Sequence, residues 1–175
     1  WGGVPIVTEP TLKPTDNVDI RRSSLADTYA RVLSDLETAE TLLPSSNERY
    51  RAQKKTVWAL KARYYLYQNN WTKAVEYADK VIGDANYKLL KPYSAFFANN
   101  VKGTQESVFE IFYNGTTEVN SHRGQWQPQV NGGTRQWAPN DAFVALVNDT
   151  LVGGNRSVLV AKDNQNRWYG NLYYR

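Results

Sequence analysis

The chain has no cysteine, no methionine and a single histidine in 175 residues. Without cysteine there is neither a disulfide framework nor a thiolate metal site. One imidazole, His122, assembles no transition-metal ligand set, so no metal or other cofactor is expected. No run approaches the roughly 18 apolar residues of a membrane-spanning helix. Charge of one sign is also scarce, at a formal net +4. The basic residues are scattered apart from Arg21-Arg22 and the group Arg49, Arg51, Lys54 and Lys55. That group reads as the solvated start of a helix rather than a nucleic-acid patch. With Trp1 first and no initiator methionine, the sequence is expected to be an internal piece of a longer protein.

Catalytic motifs are missing as well. There is no Gly-x-Ser-x-Gly elbow, and Gly132-Gly133-Thr134 lacks the lysine and spacing of a phosphate loop. Ser121 and His122 are adjacent, which does not make them a nucleophile and its base. Glu106 and Glu110 share one face of a candidate strand, where four residues separate their Cα atoms by about 13 Å. Catalytic carboxyl pairs sit at roughly 5 to 9.5 Å. No enzyme is expected, and these glutamates are expected to face solvent or pair with basic side chains.

What the chain does have is aromatics, with 6 Trp, 12 Tyr and 5 Phe, and a dense helical region. Residues 1–22 read as an extended lead-in, stopped from helix formation by Pro10 and Pro14. Leu25, Tyr29, Val32, Leu36, Ala39 and Leu43 then recur at helical spacing. Ser24 with Asp27 three residues on suits the helix start, and Pro44 ends it. A second helix over 52–67 is apolar on two sides, with Val57, Leu60, Tyr64 and Tyr67 on one and Trp58, Ala62 and Tyr65 on the other. Such a helix is sandwiched between neighbours. Asn69-Asn70 turns the chain into an antiparallel third helix from Trp71 to Ile82. Trp58, Ala62, Tyr65 and Ala74 fall at the spacings of a tetratricopeptide pair, although its closing proline and a second copy are missing.

Past residue 86 the pattern changes. Short strands are expected at 87–90 and 106–113, a helical turn at 94–99, and a helix at 139–147 with Phe143, Leu146 and Val147 inward. Residues 113–138 form a long polar loop. It interleaves Tyr113, Trp126 and Trp137 with Asn114, Asn120, Arg123, Gln125, Gln127, Gln129, Asn131, Arg135 and Gln136. Indole and phenol rings take the C–H face of a sugar while amides and guanidiniums bond its hydroxyls. The candidate ligand-binding residues are Tyr113, Arg123, Gln125, Trp126, Asn131, Arg135 and Trp137. Against this, Trp126 and Trp137 would serve equally as loop anchors, Trp137 the more so because it precedes a helix start. Trp168, Tyr169, Tyr173 and Tyr174 form a second aromatic group.

An ordered series of blocks runs through the chain. It begins with Gly2-Gly3-Val4-Pro5-Ile6-Val7, then Tyr29-Ala30-Arg31-Val32-Leu33 leading to Leu42-Leu43-Pro44, then Ala62-Arg63-Tyr64-Tyr65-Leu66-Tyr67. Trp71-Thr72-Lys73-Ala74, Ala78-Asp79-Lys80-Val81-Ile82, Tyr87-Lys88-Leu89, Phe96-Phe97 and Glu106-Ser107-Val108-Phe109-Glu110-Ile111 follow. This order resembles the SusD/RagB family of outer-membrane nutrient-binding lipoproteins; Asn155-Arg156 stands where the family has an Asp-Arg pair. The resemblance implies a mainly α fold, with tetratricopeptide-like helical hairpins packed against an irregular region of long loops and a few short strands. It implies one domain fragment, made of the lead-in (1–22), the helical region (23–86) and a loop-rich region (87–175). It also implies a cell-surface, outer-membrane protein held by a lipid anchor on its missing N-terminus. Such a protein binds oligosaccharide or polysaccharide, or in some members peptide, and acts with a SusC-like TonB-dependent transporter. A helical scaffold that only docks protein partners is the competing reading.

Overall fold

The computed structural model describes residues 2–17, 20–97, 102–114, 117 and 122–171. The sequence forms two compact units, residues 1–85 and 86–175. It is mainly helical, and its sheet is a single two-stranded hairpin among the described residues. No helix among them is long and apolar enough to cross a membrane.

The first unit is built on α1 (Leu25–Leu42), α2 (Lys54–Tyr67) and α3 (Trp71–Ile82). The Ser24 hydroxyl caps α1 by accepting from the Asp27 backbone N–H at 3.0 Å. The backbone of Leu43, just before Pro44, is extended and closes the helix. Residues 2–12 of the lead-in form no helix, in keeping with Pro10. Residues 13–17, expected extended, form a turn closed by the bond from Asp16 N–H to Lys13 O, with Asn17 left-handed (φ 62°). The start of the lead-in docks beside α1 through the bond from Val4 N–H to the Thr28 hydroxyl. Three residues separate α2 from α3. Asn69 among them is left-handed (φ 55°), and the Asn70 side chain caps α3 by accepting from Lys73 N–H. So short a link makes an antiparallel hairpin.

α2 packs against both α1 and α3, as its two-sided apolar pattern implies. A tyrosine ladder crosses all three helices. Tyr29 meets Tyr64 edge-on, Tyr64 meets Tyr65 edge-on, and Tyr65 stacks on Tyr77 at 5.6 Å. Each such ring pair adds about 0.5–1.5 kcal/mol beyond its buried area.

Three expectations about this unit change. The packed face of α1 runs through Tyr29, Leu33, Leu36, Glu40 and Leu43, while Leu25 and Val32 are exposed. On α2, Leu60 and Tyr67 are exposed and Lys61 is buried. The physical reason is one ion pair. Lys61 Nζ reaches Glu40 Oε2 at 2.6 Å and donates to the Tyr77 hydroxyl at 3.2 Å. Trp58 Nε1 donates to the other Glu40 oxygen. The helices rotate to bring this charge pair inward. Lys55, read as part of a solvated helix start, is buried too and pairs with Asp84 at 2.6 Å.

The second unit is irregular. It holds 3-10 turns at Tyr93–Phe97, Gln129–Asn131 and Gly154–Leu159. Its helices are α4 (His122–Trp126) and α5 (Asp141–Asn148), and its strands are β1 (Val160–Lys162) and β2 (Trp168–Gly170). Asn140 caps α5 by accepting from Phe143 N–H. The core is Val144 and Val147 of α5 with Val160 of β1, and Trp168 packs on it; Phe143 and Leu146, expected inward, are exposed. Strand pairing is antiparallel, with Val160 opposite Gly170 and Lys162 opposite Trp168. The turn between them is tied by Asp163, whose carboxylate accepts from the backbone N–H groups of Gln165 and Arg167.

The strands expected at 87–90 and 106–113 do not form. Among the described residues, 106–113 have no partner strand, and a β-prone sequence without a partner has no ladder to join. Instead its carboxylates act as caps. Glu106 accepts from Leu90 N–H at 2.9 Å and Glu110 from Gly103 N–H at 2.7 Å, rather than facing solvent or basic side chains. The later part of the turn expected at 94–99, together with Gly115, Asn120, Ser121, Tyr173 and Tyr174, lies outside the described residues.

Candidate functional site

Residues 122–137, expected as open loop, fold into a closed motif. α4 leads into Gln127 and Pro128, both fully buried. The chain then reverses through the 3-10 turn and Gly132, whose φ of 76° suits a residue without a side chain. Residues 134–137 run back along α4 and satisfy its last carbonyls. Thr134 N–H bonds Gly124 O at 2.7 Å, Arg135 N–H bonds Gln127 O at 2.9 Å, and Trp137 N–H bonds Gln125 O at 3.1 Å. Helix ends leave such carbonyls unpaired, so the returning segment removes a cost the short α4 would otherwise carry. Gly133 is required by this close return, since a Cβ there would sit 2.1 Å from Gln127 O.

Two side chains fasten the motif to β2. Gln127, 0% exposed, donates from Nε2 to Gly170 O at 2.9 Å, and its Oε1 accepts from Asn131 at 3.0 Å. A buried amide with both ends paired locks its surroundings. Arg135 donates through Nε and Nη2 to Trp168 O at 3.3 and 2.9 Å. Its backbone is left-handed (φ 46°), a conformation costing about 1 kcal/mol for a residue with a side chain. The paired guanidinium bonds hold it there.

This frame presents Trp126 and Trp137 with ring centroids 5.5 Å apart at 67°. His122 joins them, 5.1 Å from Trp137 and 6.3 Å from Trp126. Trp126 Nε1 donates to His122 Nε2 at 3.2 Å. Trp126 is half-buried and backed by Gly170, where a Cβ would lie 2.8 Å from its Cε3. Trp137 is 43% exposed. The anchoring expected of Trp137 therefore falls on Trp126, and Trp137 is the ring more open to solvent.

The other candidates divide. Arg123 is exposed on α4 and donates to Asn131 O at 3.3 Å; Gln125 is half-buried beside it. Asn131 is spent on the Gln127 side chain and Arg135 on the backbone of β2. Tyr113 is exposed on the preceding segment, and no bond or ring contact joins it to the tryptophans among the described residues. His122, read from the sequence as neither a metal ligand nor a catalytic base, belongs to the aromatic group. Its signal was the i, i+4 spacing to Trp126, legible only once a helix is expected there. No group of three His, Cys, Asp or Glu residues able to hold a metal occurs among the described residues. Chemically, the motif offers an apolar corner with a polar edge, suited to a ligand with both kinds of surface.

One unit is a tetratricopeptide-like helical scaffold, and the other carries an aromatic surface motif. The chain is similar to proteins of one family. Residues 1–66 match the SusD-like family described as starch-binding and associating with the outer membrane. SusD-like protein P38 of Formosa agariphila is 33% identical over 89 residues, 51% of this chain and 18% of that protein. A SusD superfamily structure from Bacteroides vulgatus is 26% identical with a TM-score of 0.68, covering 89% of this chain and 36% of the other. A second Bacteroides vulgatus structure shares the fold, with a TM-score of 0.76 at 23% identity over 98% of this chain and 39% of the other. The chain is similar in sequence and fold to these SusD-like proteins. It spans less than two-fifths of the length of each of these three relatives.

Proposed function

We propose that this chain is the glycan-contacting part of an outer-membrane nutrient-binding protein exposed at the cell surface. It takes an oligosaccharide at the Trp126–Trp137 corner. The carrying observation is that ring pair: two indoles 5.5 Å apart, one backed by backbone and one 43% exposed, on a frame with a fully buried tie. A preformed apolar corner binds a pyranose face with little ordering cost. Arg123 and Gln125 stand at its edge to bond hydroxyls, while Asn131 and Arg135 hold the frame. Tyr113 adds a ring only if a long glycan extends towards the preceding segment. The reaction is capture and release, with no bond broken. The family description, starch-binding and associating with the outer membrane, supports the ligand class and the location.

In this reading the three-helix unit is support, since Tyr29, Trp58, Tyr64, Tyr65 and Tyr77 are spent on contacts between its helices, and the whole protein carries a lipid anchor and delivers its ligand to a SusC-like TonB-dependent transporter. Tryptophan fluorescence titration against an oligosaccharide panel tests the ligand claim: a saturable change with at least one glycan is expected, and no response to any would contradict it. Copurification of the full-length protein with its transporter tests the partner claim.

A further inference from the structure

We infer that His122 is the positioning residue of the aromatic corner: its Nε2 fixes the plane of Trp126, and its ring sets the angle between the two indoles. The consequence for ligand binding rests on the sugar-binding reading above; the geometry does not. An indole N–H can only donate, so the 3.2 Å bond from Trp126 Nε1 requires Nε2 of His122 to be the unprotonated nitrogen. The proton of the neutral imidazole therefore sits on Nδ1.

Trp126 is held from two sides. Its N–H edge is tied to His122, and its benzo edge rests on Gly170, where even a methyl group finds no room. Trp137 is placed by its backbone bond to Gln125 O, which leaves its ring to be aligned by neighbours. Those neighbours are His122 at 5.1 Å and Trp126 at 5.5 Å. One imidazole thus touches both indoles. The ties beneath, from Gln127 and Arg135 to β2, do not involve it. Removing the ring frees the two indoles while the frame stays closed.

The chain has one histidine, so its imidazole signals are unique. Long-range proton–nitrogen correlation NMR on the 175-residue chain is expected to show the Nδ1–H tautomer; the Nε2–H tautomer would overturn the inference. Next, His122→Ala and His122→Gln are compared with the parent. The glutamine carbonyl can replace the Nε2 acceptor. His122→Ala is expected to weaken the near-UV circular dichroism of the tryptophans and lower oligosaccharide affinity about fivefold, the scale of one lost hydrogen bond. His122→Gln is expected to restore most of both. Equal behaviour of the two variants, or no change in either, overturns the inference. If the tautomer and the glutamine rescue of the dichroism hold but the parent binds no oligosaccharide, the positioning role stands and the sugar-binding reading fails.

Discussion

Lys61 Nζ lies 2.6 Å from Glu40 Oε2 at the centre of the three-helix unit, with the lysine side chain only 4% exposed. The pair ties α2 to α1, and the bond from Lys61 to the Tyr77 hydroxyl extends the tie to α3. Trp58 completes it by donating to the second Glu40 oxygen, so both ends of the carboxylate are satisfied. The sequence places two opposite charges on faces otherwise apolar; the fold brings them together.

Breaking such a pair from one side strands the other charge. Glu40→Ala should destabilise the unit by about 3 kcal/mol, the low end for a buried pair because Glu40 keeps some access to water. Replacing both partners, as in Glu40→Leu with Lys61→Met, should cost less than Glu40→Ala alone. Urea unfolding of the single and double variants checks both statements. A Glu40→Ala chain as stable as the parent would show the pair to be incidental.

The same pair sets a pH dependence. Burial pushes the Glu40 carboxyl up, but the hydrogen bonds from Lys61 and Trp58 outweigh it and hold it below the usual carboxylate range. Its contribution is thus present above that range and lost as pH falls through the depressed folded value. Burial pulls the Lys61 ammonium down, yet its bonds to Glu40 and Tyr77 hold it above the usual lysine value. That contribution is present below the usual value and lost as pH rises through the raised one. Stability from this pair should be flat between the two limits and fall outside them. Denaturation midpoints measured across pH should show a shallower acid limb in Glu40→Gln than in the parent.

Gly170 and Gly133 permit the two close approaches that shape the corner. Gly170→Ala places a methyl group 2.8 Å from Trp126 Cε3 and Gly133→Ala one 2.1 Å from Gln127 O. Each should destabilise by about 1–3 kcal/mol, the usual cost of overpacking. They should differ in signature. Gly170→Ala displaces a ring and should alter the near-UV dichroism first; Gly133→Ala opposes the backbone return and should lower the melting temperature more. Dichroism spectra and melting curves on both variants decide.

The helices were legible because their signals are local. The four-and-three spacing, Ser24, Pro44 and Asn69-Asn70 each act within a turn or two of chain. The inward charges were not, because a binary pattern assigns every lysine and glutamate to water until its partner is known. Residues 106–113 misled for a related reason: strand propensity reports fitness for a pleated, half-buried surface, and no second strand among the described residues supplies one. The β1–β2 hairpin went unseen because three-residue strands carry almost no alternation. For the site, composition pointed to the segment that folds into the Trp126–Trp137 motif. It did not reveal that Asn131 is spent on Gln127 and Arg135 on β2, or that His122 touches both indoles, since those facts depend on the backbone turning at Gly132 and returning along α4.

Trp137 is where the account is most exposed, because it is the more open ring of the corner and its removal leaves the Gln127 and Arg135 ties intact. The most direct test is calorimetric titration of the parent and Trp137→Ala with whichever oligosaccharide binds best, alongside a melting curve for each. The expected result is an affinity loss of about tenfold, or about 1.4 kcal/mol, with a melting temperature close to the parent's. Unchanged affinity in a folded Trp137→Ala chain would contradict the assignment of the glycan to this corner.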